Sequence, residues 1–336
     1  MAETANISQV ANKIANDIFK VFFWEMHPQQ DTNFECVSDH HKTENGAQKT
    51  THPGDVVFHY FDPYLNKRVC LHTDLKSYKK STLQATKIRE SLKSLAMTVE
   101  CAAVSDSWRK KFLPIDHEVY EVRGLLFVAN HDGKAADKFS PLLGGISKAN
   151  VPVAKGQTLH VLGPTEITSL YSIATDIKLA ISDKKLSPLY RFFYPDLTLW
   201  KRHTTDDQRI GATIEMLLSP YFILKHPAIV EEGITILRPG SLVYYSRAGA
   251  TVDEFVYLLD SLSRYQLVNS REGIRILTFK PERSPELKSN FEKAKHRYCS
   301  MWGFEGDRAA EVHAISIDAI SQIAPNYSPD EIGWRI

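Results

Sequence analysis

An α/β fold in two parts is what this chain predicts, and three observations carry the expectation. Its 336 residues exceed what one ordinary hydrophobic core organises. Windows with apolar residues at helical spacing alternate along the chain with short β-branched and aromatic runs. The stretch 134–155, with Gly144, Gly145 and Pro152 in a polar context, reads as a connecting segment. The expected division is a first domain over 1–185 and a second over 186–336.

The elements of the first domain follow in order. Ile7, Val10, Ile14, Ile18, Val21 and Phe22 recur at helical spacing, which predicts an amphipathic helix from about 7 to 26, ended by Pro28. A short strand is expected around Phe34 to Val37, then a polar, His-rich loop from about 38 to 53. Val56 to Phe61 reads as a strand, Asp62-Pro63-Tyr64-Leu65-Asn66 as a turn and Arg68 to Leu75 as the antiparallel partner. Good helix formers from Ser81 to about Lys111 predict one long helix with Ser81 as N-cap. Val119 to Ala129 is a further apolar strand. "LHVLGPTEITSL" then reads as strand, Gly163-Pro164 turn and helix that still belong to this core.

The second domain reads as a smaller α/β unit, in a ferredoxin-like arrangement. Strands are expected at Ser241–Ser246, Gly273–Phe279 and Glu311–Ile317, with helices at Thr251–Tyr265 and Ser284–Trp302. It holds no nucleophile elbow, Walker loop or dinucleotide fingerprint, and Gly249 in "SRAGAT" reads as a helix-entry glycine. The aromatic run Tyr190 to Trp200 offers rings suited to stacking bases, with core or subunit contact as the preferred reading.

Composition excludes several classes. A 43% hydrophobic and 24% charged chain is ordinary for a globular protein, and no apolar run is long enough to cross a bilayer. The N-terminus has no signal-like segment, so a cytoplasmic location is expected. Cys36, Cys70, Cys101 and Cys299 contain no Cys-x-x-Cys pair and offer no zinc framework; buried small hydrophobes account for all four. His40, His41, His52, His59 and His72 match no standard zinc spacing and read as loop or strand-face residues. The formal net charge of +1 identifies no partner by itself.

Chemistry concentrates in the hairpin. If Asp55 opens one strand and Asp74 closes its antiparallel partner, the turn brings the two carboxylates together. Alternation puts Lys76 on the face of Asp74, with His72 on that face too. Two carboxylates suited to a hard divalent ion, Mg²⁺ or Mn²⁺, with an ammonium beside them, make a site for phosphodiester hydrolysis.

Asp55, an apolar strand and turn, then Asp74-Leu75-Lys76, with a helix before and a helix and strand after, resembles the PD-(D/E)XK nuclease superfamily over about residues 5 to 135. The resemblance implies a restriction-endonuclease-like core: helix, three-stranded mixed sheet, helix, strand. It places the first-motif acid on Asp55 and the acid-x-lysine on Asp74 and Lys76, with Asp55 and Asp74 as metal ligands. Asp62, before Pro63, is the rival for the first acid, but sits in the turn away from Asp74. Some family members use a glutamate from the first helix, and Glu25 is the candidate here.

A basic band surrounds the motif: Lys67, Arg68, Lys79, Lys80, Lys87, Arg89 and Lys93, then Arg109, Lys110 and Lys111. Such a band suits sequence-independent contact with a DNA backbone, and Lys79, Lys80, Lys87 and Arg89 are the candidate contacts. The expected function is a Mg²⁺-dependent endodeoxyribonuclease, of the kind that serves bacterial anti-phage defence. It would work as a homo-oligomer or with a second defence-system protein. A catalytically silent nuclease-fold subunit that binds nucleic acid or scaffolds a defence complex is the alternative.

Overall fold

The computed structural model describes residues 2–43, 45–113, 119–134, 136–147, 150–195, 209–269 and 272–328. The chain divides into two units, Met1–Tyr171 with Ala324–Ile336, and Ser172–Ile323.

In the first unit α1 (Ala2–Asp17) gives way to a 3-10 turn at Phe19–Phe22, closed by Phe23 in the left-handed region at φ 59°. The single helix expected to run to residue 26 therefore stops early, and Glu25–Met26 forms a strand instead, β1. Aromatic packing explains the break: Phe19 stacks on Trp24 at 4.4 Å and meets Phe58 edge-on at 4.8 Å, contacts that a continued helix would pull apart. β2 (Phe34–Glu35) and β3 (Thr51–His52) pair as a small antiparallel ribbon.

β4 (Val56–Asp62) and β5 (Lys67–Tyr78) form the antiparallel hairpin, with Val56 opposite Thr73. Asp62 builds its turn. The buried carboxylate accepts from the backbone N–H groups of Tyr64 at 2.9 Å and Leu65 at 3.0 Å, and Asn66 takes φ 53°.

Two helices, α2 (Ala85–Ala102) and α3 (Asp106–Phe112), replace the one expected from 81 to 111. Ser105 rather than Ser81 is the capping serine, its hydroxyl accepting from Trp108 N at 3.2 Å. The break turns Trp108 and Phe112 into the core. β6 (Tyr120–Asn130) then runs parallel to β5, and α4 (Ala136–Gly144) lies in the segment expected to be connector. β7 (Leu159–Leu162) adds parallel to β6. α5 (Pro164–Ser182) starts with proline, where a missing N–H costs nothing.

The sheet order is β1-β4-β5-β6-β7, so the expected three-strand mixed core is widened at both edges. On one face Val57, Cys70, Leu126 and Val128 pack with Ile88, Leu92, Leu95 and Val99 of α2. Each large aliphatic side chain so buried contributes about 1.5–3 kcal/mol. Phe58, Tyr60 and Phe127 meet the Phe19 and Trp24 cluster from the other face. One consequence positions the site. β5 has 12 residues and β4 has 7, and pairing with β4 stops at Thr73, so Asp74 to Tyr78 are laddered only to β6.

The second unit contains β8 (Arg191–Phe192), α6 (Ile214–Leu217), β9 (Tyr221–His226), β10 (Ile229–Glu231), β11 (Ile234–Leu237) and β12 (Gly240–Tyr245). These are followed by α7 (Val252–Arg264), β13 (Gly273–Thr278), α8 (Leu287–Trp302), α9 (Gly306–His313) and β14 (Ser316–Ala319). Its main sheet runs β14-β13-β12-β9-β8, with β12, β13 and β14 mutually parallel.

The α/β character is as expected, but a ferredoxin-like sheet needs antiparallel neighbours, and here successive βαβ crossovers set strands parallel and side by side. The last strand starts at Ser316, because residues from 306 to 313 coil into α9. Tyr190, Phe192 and Tyr194 are buried within this unit rather than displayed; Trp200 lies outside the described residues. The "SRAGAT" loop is filled by its own chain: Gly249 N and Ala250 N donate to the Glu254 carboxylate at 3.1 Å each, and Tyr245 OH donates to it at 2.5 Å. Among the described residues no helix is long and apolar enough to cross a membrane.

Candidate active site

The unpaired end of β5 is where the functional side chains meet. Beyond Thr73 the strand has no β4 backbone to pair with, and Asp55, just before β4, takes its place: Asp55 Oδ2 accepts from Leu75 N at 3.0 Å. The Asp55 and Asp74 carboxyls are in hydrogen-bond contact with one another, and Lys76 Nζ lies 2.6 Å from Asp74 Oδ1. Asp55, Asp74 and Lys76 thus form one cluster, on the sheet face that α2 and α3 cover further along.

Electrostatics mark Asp74 as the unusual member. Burial pushes its carboxyl up to about 6; the Lys76 ammonium pulls the other way, and Asp55 adds to the rise. For Lys76 burial works to lower the pKa, and the attraction of Asp74 and Asp55 outweighs it, so the ammonium is held protonated. Two carboxyls this close either share a proton or share a cation. The donor set, two carboxylates open on one side to solvent, suits a hard divalent ion.

The loop carrying Asp55 is held from three directions. Gly54 O accepts from Thr32 N, and Asp55 O from Asp31 N, both at 2.9 Å. His72 supports the third side: its Nε2–H donates to Pro53 O at 3.0 Å while Nδ1 accepts from Trp108 Nε1–H at 3.2 Å, which fixes the neutral tautomer. Burial lowers the His72 pKa to about 4, so the ring stays neutral in ordinary buffers. His72 shares the face of Asp74, as alternation predicts, and acts through Pro53.

Gly54 is required by space. A Cβ there would lie 2.7 Å from the Thr32 carbonyl oxygen, with Phe112 and His72 at 3.3 and 3.4 Å. Gly54→Ala is therefore expected to displace Asp55, costing about 1–3 kcal/mol of stability by overpacking together with at least a tenfold loss of any activity that needs Asp55. Unchanged melting temperature and activity would show that this contact does not set the loop.

Glu25 is not brought to the cluster. It lies on β1 opposite His59 instead of on a helix; its side chain is 75% exposed, and Oε2 is 3.7 Å from His59 Nδ1. That contact is not an ion pair near neutral pH. Burial, reinforced by Arg68, lowers the His59 pKa to about 4, and the Arg68 guanidinium donates to the same Nδ1 at 2.6 Å. Asp62 is committed to its turn, as above.

The basic band divides. Lys79, Lys80, Lys87 and Lys93 are exposed and Arg89 half-buried, and Lys87 Nζ sits 5.9 Å from the centre of the Tyr78 ring, on the strand end that carries the cluster. Lys67 pairs with Glu121 at 3.7 Å, Arg109 with Asp106, and Lys111 donates to Asn33 O. Gly54 and Trp108, which position Asp55, carried no signal in the sequence, since only the folded loop shows how closely they approach it.

Residues 1–166 match the family model described as GAPS4 protein PD-(D/E)XK nuclease domain. No curated protein and no solved structure matches the chain.

Proposed function

We propose, because residues 1–166 belong to the PD-(D/E)XK nuclease superfamily, that this chain is a divalent-metal-dependent endonuclease of DNA. The observation that carries the reading is the cluster itself: Asp55 and Asp74 in contact at an open strand end, with Lys76 2.6 Å from Asp74. A scaffold gains nothing from holding two carboxyls and an amine together at a desolvation cost.

Asp55 and Asp74 are the residues that would hold Mg²⁺ or Mn²⁺. Such an ion, when bound, lowers the pKa of an attacking water and offsets charge on the scissile phosphate. Lys76 supplies a fixed ammonium at the phosphate, where it stabilises charge that develops during hydrolysis. The Leu75 N–H holds Asp55 in register through Oδ2, so its carboxyl stays turned toward Asp74. Lys79, Lys80, Lys87 and Arg89 contact backbone phosphates without reading bases.

The biological setting we propose is anti-phage defence, supported by the match of residues 1–166 to the GAPS4 nuclease domain, with the cytoplasm as its location. The second unit then regulates, recognises or assembles. A two-strand cut needs two sites, so the working form is a homo-oligomer or a complex with a second defence-system protein. Light scattering of the protein with and without that partner checks this, and full duplex cutting by a dilute monomer contradicts it.

Calorimetric titration of Mg²⁺ and Mn²⁺ into the DNA-bound protein tests the metal reading. Binding heat is expected in the wild type and should be lost in Asp74→Ala. Absence of heat in both the free and the DNA-bound wild type would favour a silent nuclease-fold subunit.

A further inference from the structure

We propose that Cys36, His41, His52 and Cys101 form a structural zinc site, separate from the Asp55–Asp74 cluster. Spacing along the chain conceals it, because three ligands come from the 36–52 segment and the fourth from the last turn of α2. The fold gathers Cys36 Sγ, His41 Nδ1, His52 Nε2 and Cys101 Sγ within 4.8 Å of one another. Both histidines and Cys101 are buried.

Distances between the ligand atoms argue for a tetrahedral ion. With Zn–S near 2.3 Å and Zn–N near 2.05 Å, a regular tetrahedron has edges of about 3.8 Å for S to S, about 3.5 Å for S to N and about 3.3 Å for N to N. The structure has Cys36 Sγ to Cys101 Sγ at 3.7 Å and His41 Nδ1 to His52 Nε2 at 3.3 Å. Cys36 Sγ and Cys101 Sγ lie 3.5 and 3.3 Å from His41 Nδ1. A disulfide would need the sulfurs at about 2.05 Å.

The surrounding hydrogen bonds orient the lone pairs inward. His41 Nε2 faces the Glu100 carboxylate at 3.2 Å, which puts the proton on Nε2 and leaves Nδ1 bare. Thr98 Oγ1 donates to Ser94 O at 2.9 Å, so toward His52 Nδ1, 3.3 Å away, it acts as acceptor. That places the His52 proton on Nδ1 and bares Nε2. Two imidazole lone pairs then face each other at 3.3 Å, an arrangement that a cation between them stabilises. Val37 N–H donates to Cys101 Sγ at 3.4 Å, as backbone amides do to metal-bound thiolates. An S₂N₂ donor set, with four of its six edges at tetrahedral lengths and all of them within 4.8 Å, selects Zn²⁺ over hard cations. On binding, two S–Zn and two N–Zn bonds form, and the two thiol protons leave to solvent.

The site has a structural consequence for the nuclease cluster. His52 is three residues before Asp55, and Cys36 follows β2, whose Phe34 pairs with His52. An ion here ties the 36–52 segment and the Asp55 loop to α2.

The test is metal analysis of the full-length protein, purified without chelator or added metal, together with zinc-edge X-ray absorption. One zinc per chain is expected, with two sulfur and two nitrogen neighbours. Cys36→Ser and Cys101→Ser should each drop zinc at least fivefold, whereas Asp55→Asn, in the other cluster, should keep it. Because a cysteine variant can fail to fold, the wild-type spectrum decides alone: a first shell without sulfur overturns the proposal. So does folded wild-type protein that carries no zinc and takes up none from added ZnCl₂. Zinc lost in Asp55→Asn but kept in both cysteine variants overturns it as well.

Discussion

Lys76→Ala should lower DNA cleavage by about 10²–10³-fold, the cost of removing one preorganised group that stabilises transition-state charge. Stability should hardly change. The Lys76 side chain is 36% exposed and its ion pair is with Asp74, so truncation opens no cavity. The pair is partly buried, with Asp74 18% exposed, and contributes about 1 kcal/mol. Melting temperature and cleavage rate are the two readouts, and their separation is the point: a catalytic lysine loses rate at constant stability. Wild-type rates in the variant would sink the assignment. Lys76→Met, which keeps the aliphatic stem, covers the case in which the alanine variant is insoluble.

Asp55→Asn and Asp62→Ala should fail in opposite ways. An asparagine at 55 retains an oxygen for Leu75 N but removes the charge that a divalent ion needs, so cleavage falls by about 10²-fold or more while the fold holds. Asp62 serves two turn N–H groups with a buried carboxylate. Its loss costs about 1–3 kcal/mol of stability and leaves the chemistry intact. Thermal melts and single-turnover cleavage of the two variants separate these outcomes. Equal residual activity, or the reverse order, would move the metal ligand into the turn.

Local rules made the hairpin legible. β-Branched and aromatic content over Val56 to Phe61 and Arg68 to Leu75, with turn chemistry between, predicts the hairpin that carries Asp55 to Asp74, and neither signal depends on distant residues. The first helix was legible in type but not in extent, because its end is decided by Phe19 and Trp24 stacking in the folded core. The same cause takes Glu25 off the first helix: once the helix stops, the residue becomes part of β1. The long helix over 81–111 hid a break, since nothing in its composition announces that Trp108 must turn inward to His72. Parallel pairing of β12, β13 and β14 is equally long-range, so the second unit was legible only as α/β. The cysteine and histidine cluster was invisible for the most physical of reasons: its ligands lie 65 residues apart between Cys36 and Cys101 and meet only through packing of α2 on the ribbon.

Incubation of the purified protein with supercoiled plasmid decides whether this chain cuts DNA. With Mg²⁺ or Mn²⁺ present, conversion to open-circular and linear DNA is expected, with none when the ion is omitted and about 10²–10³-fold slower conversion by Lys76→Ala. Plasmid left intact with either ion, by protein that binds it and alongside its partner, would show that the chain is not a nuclease.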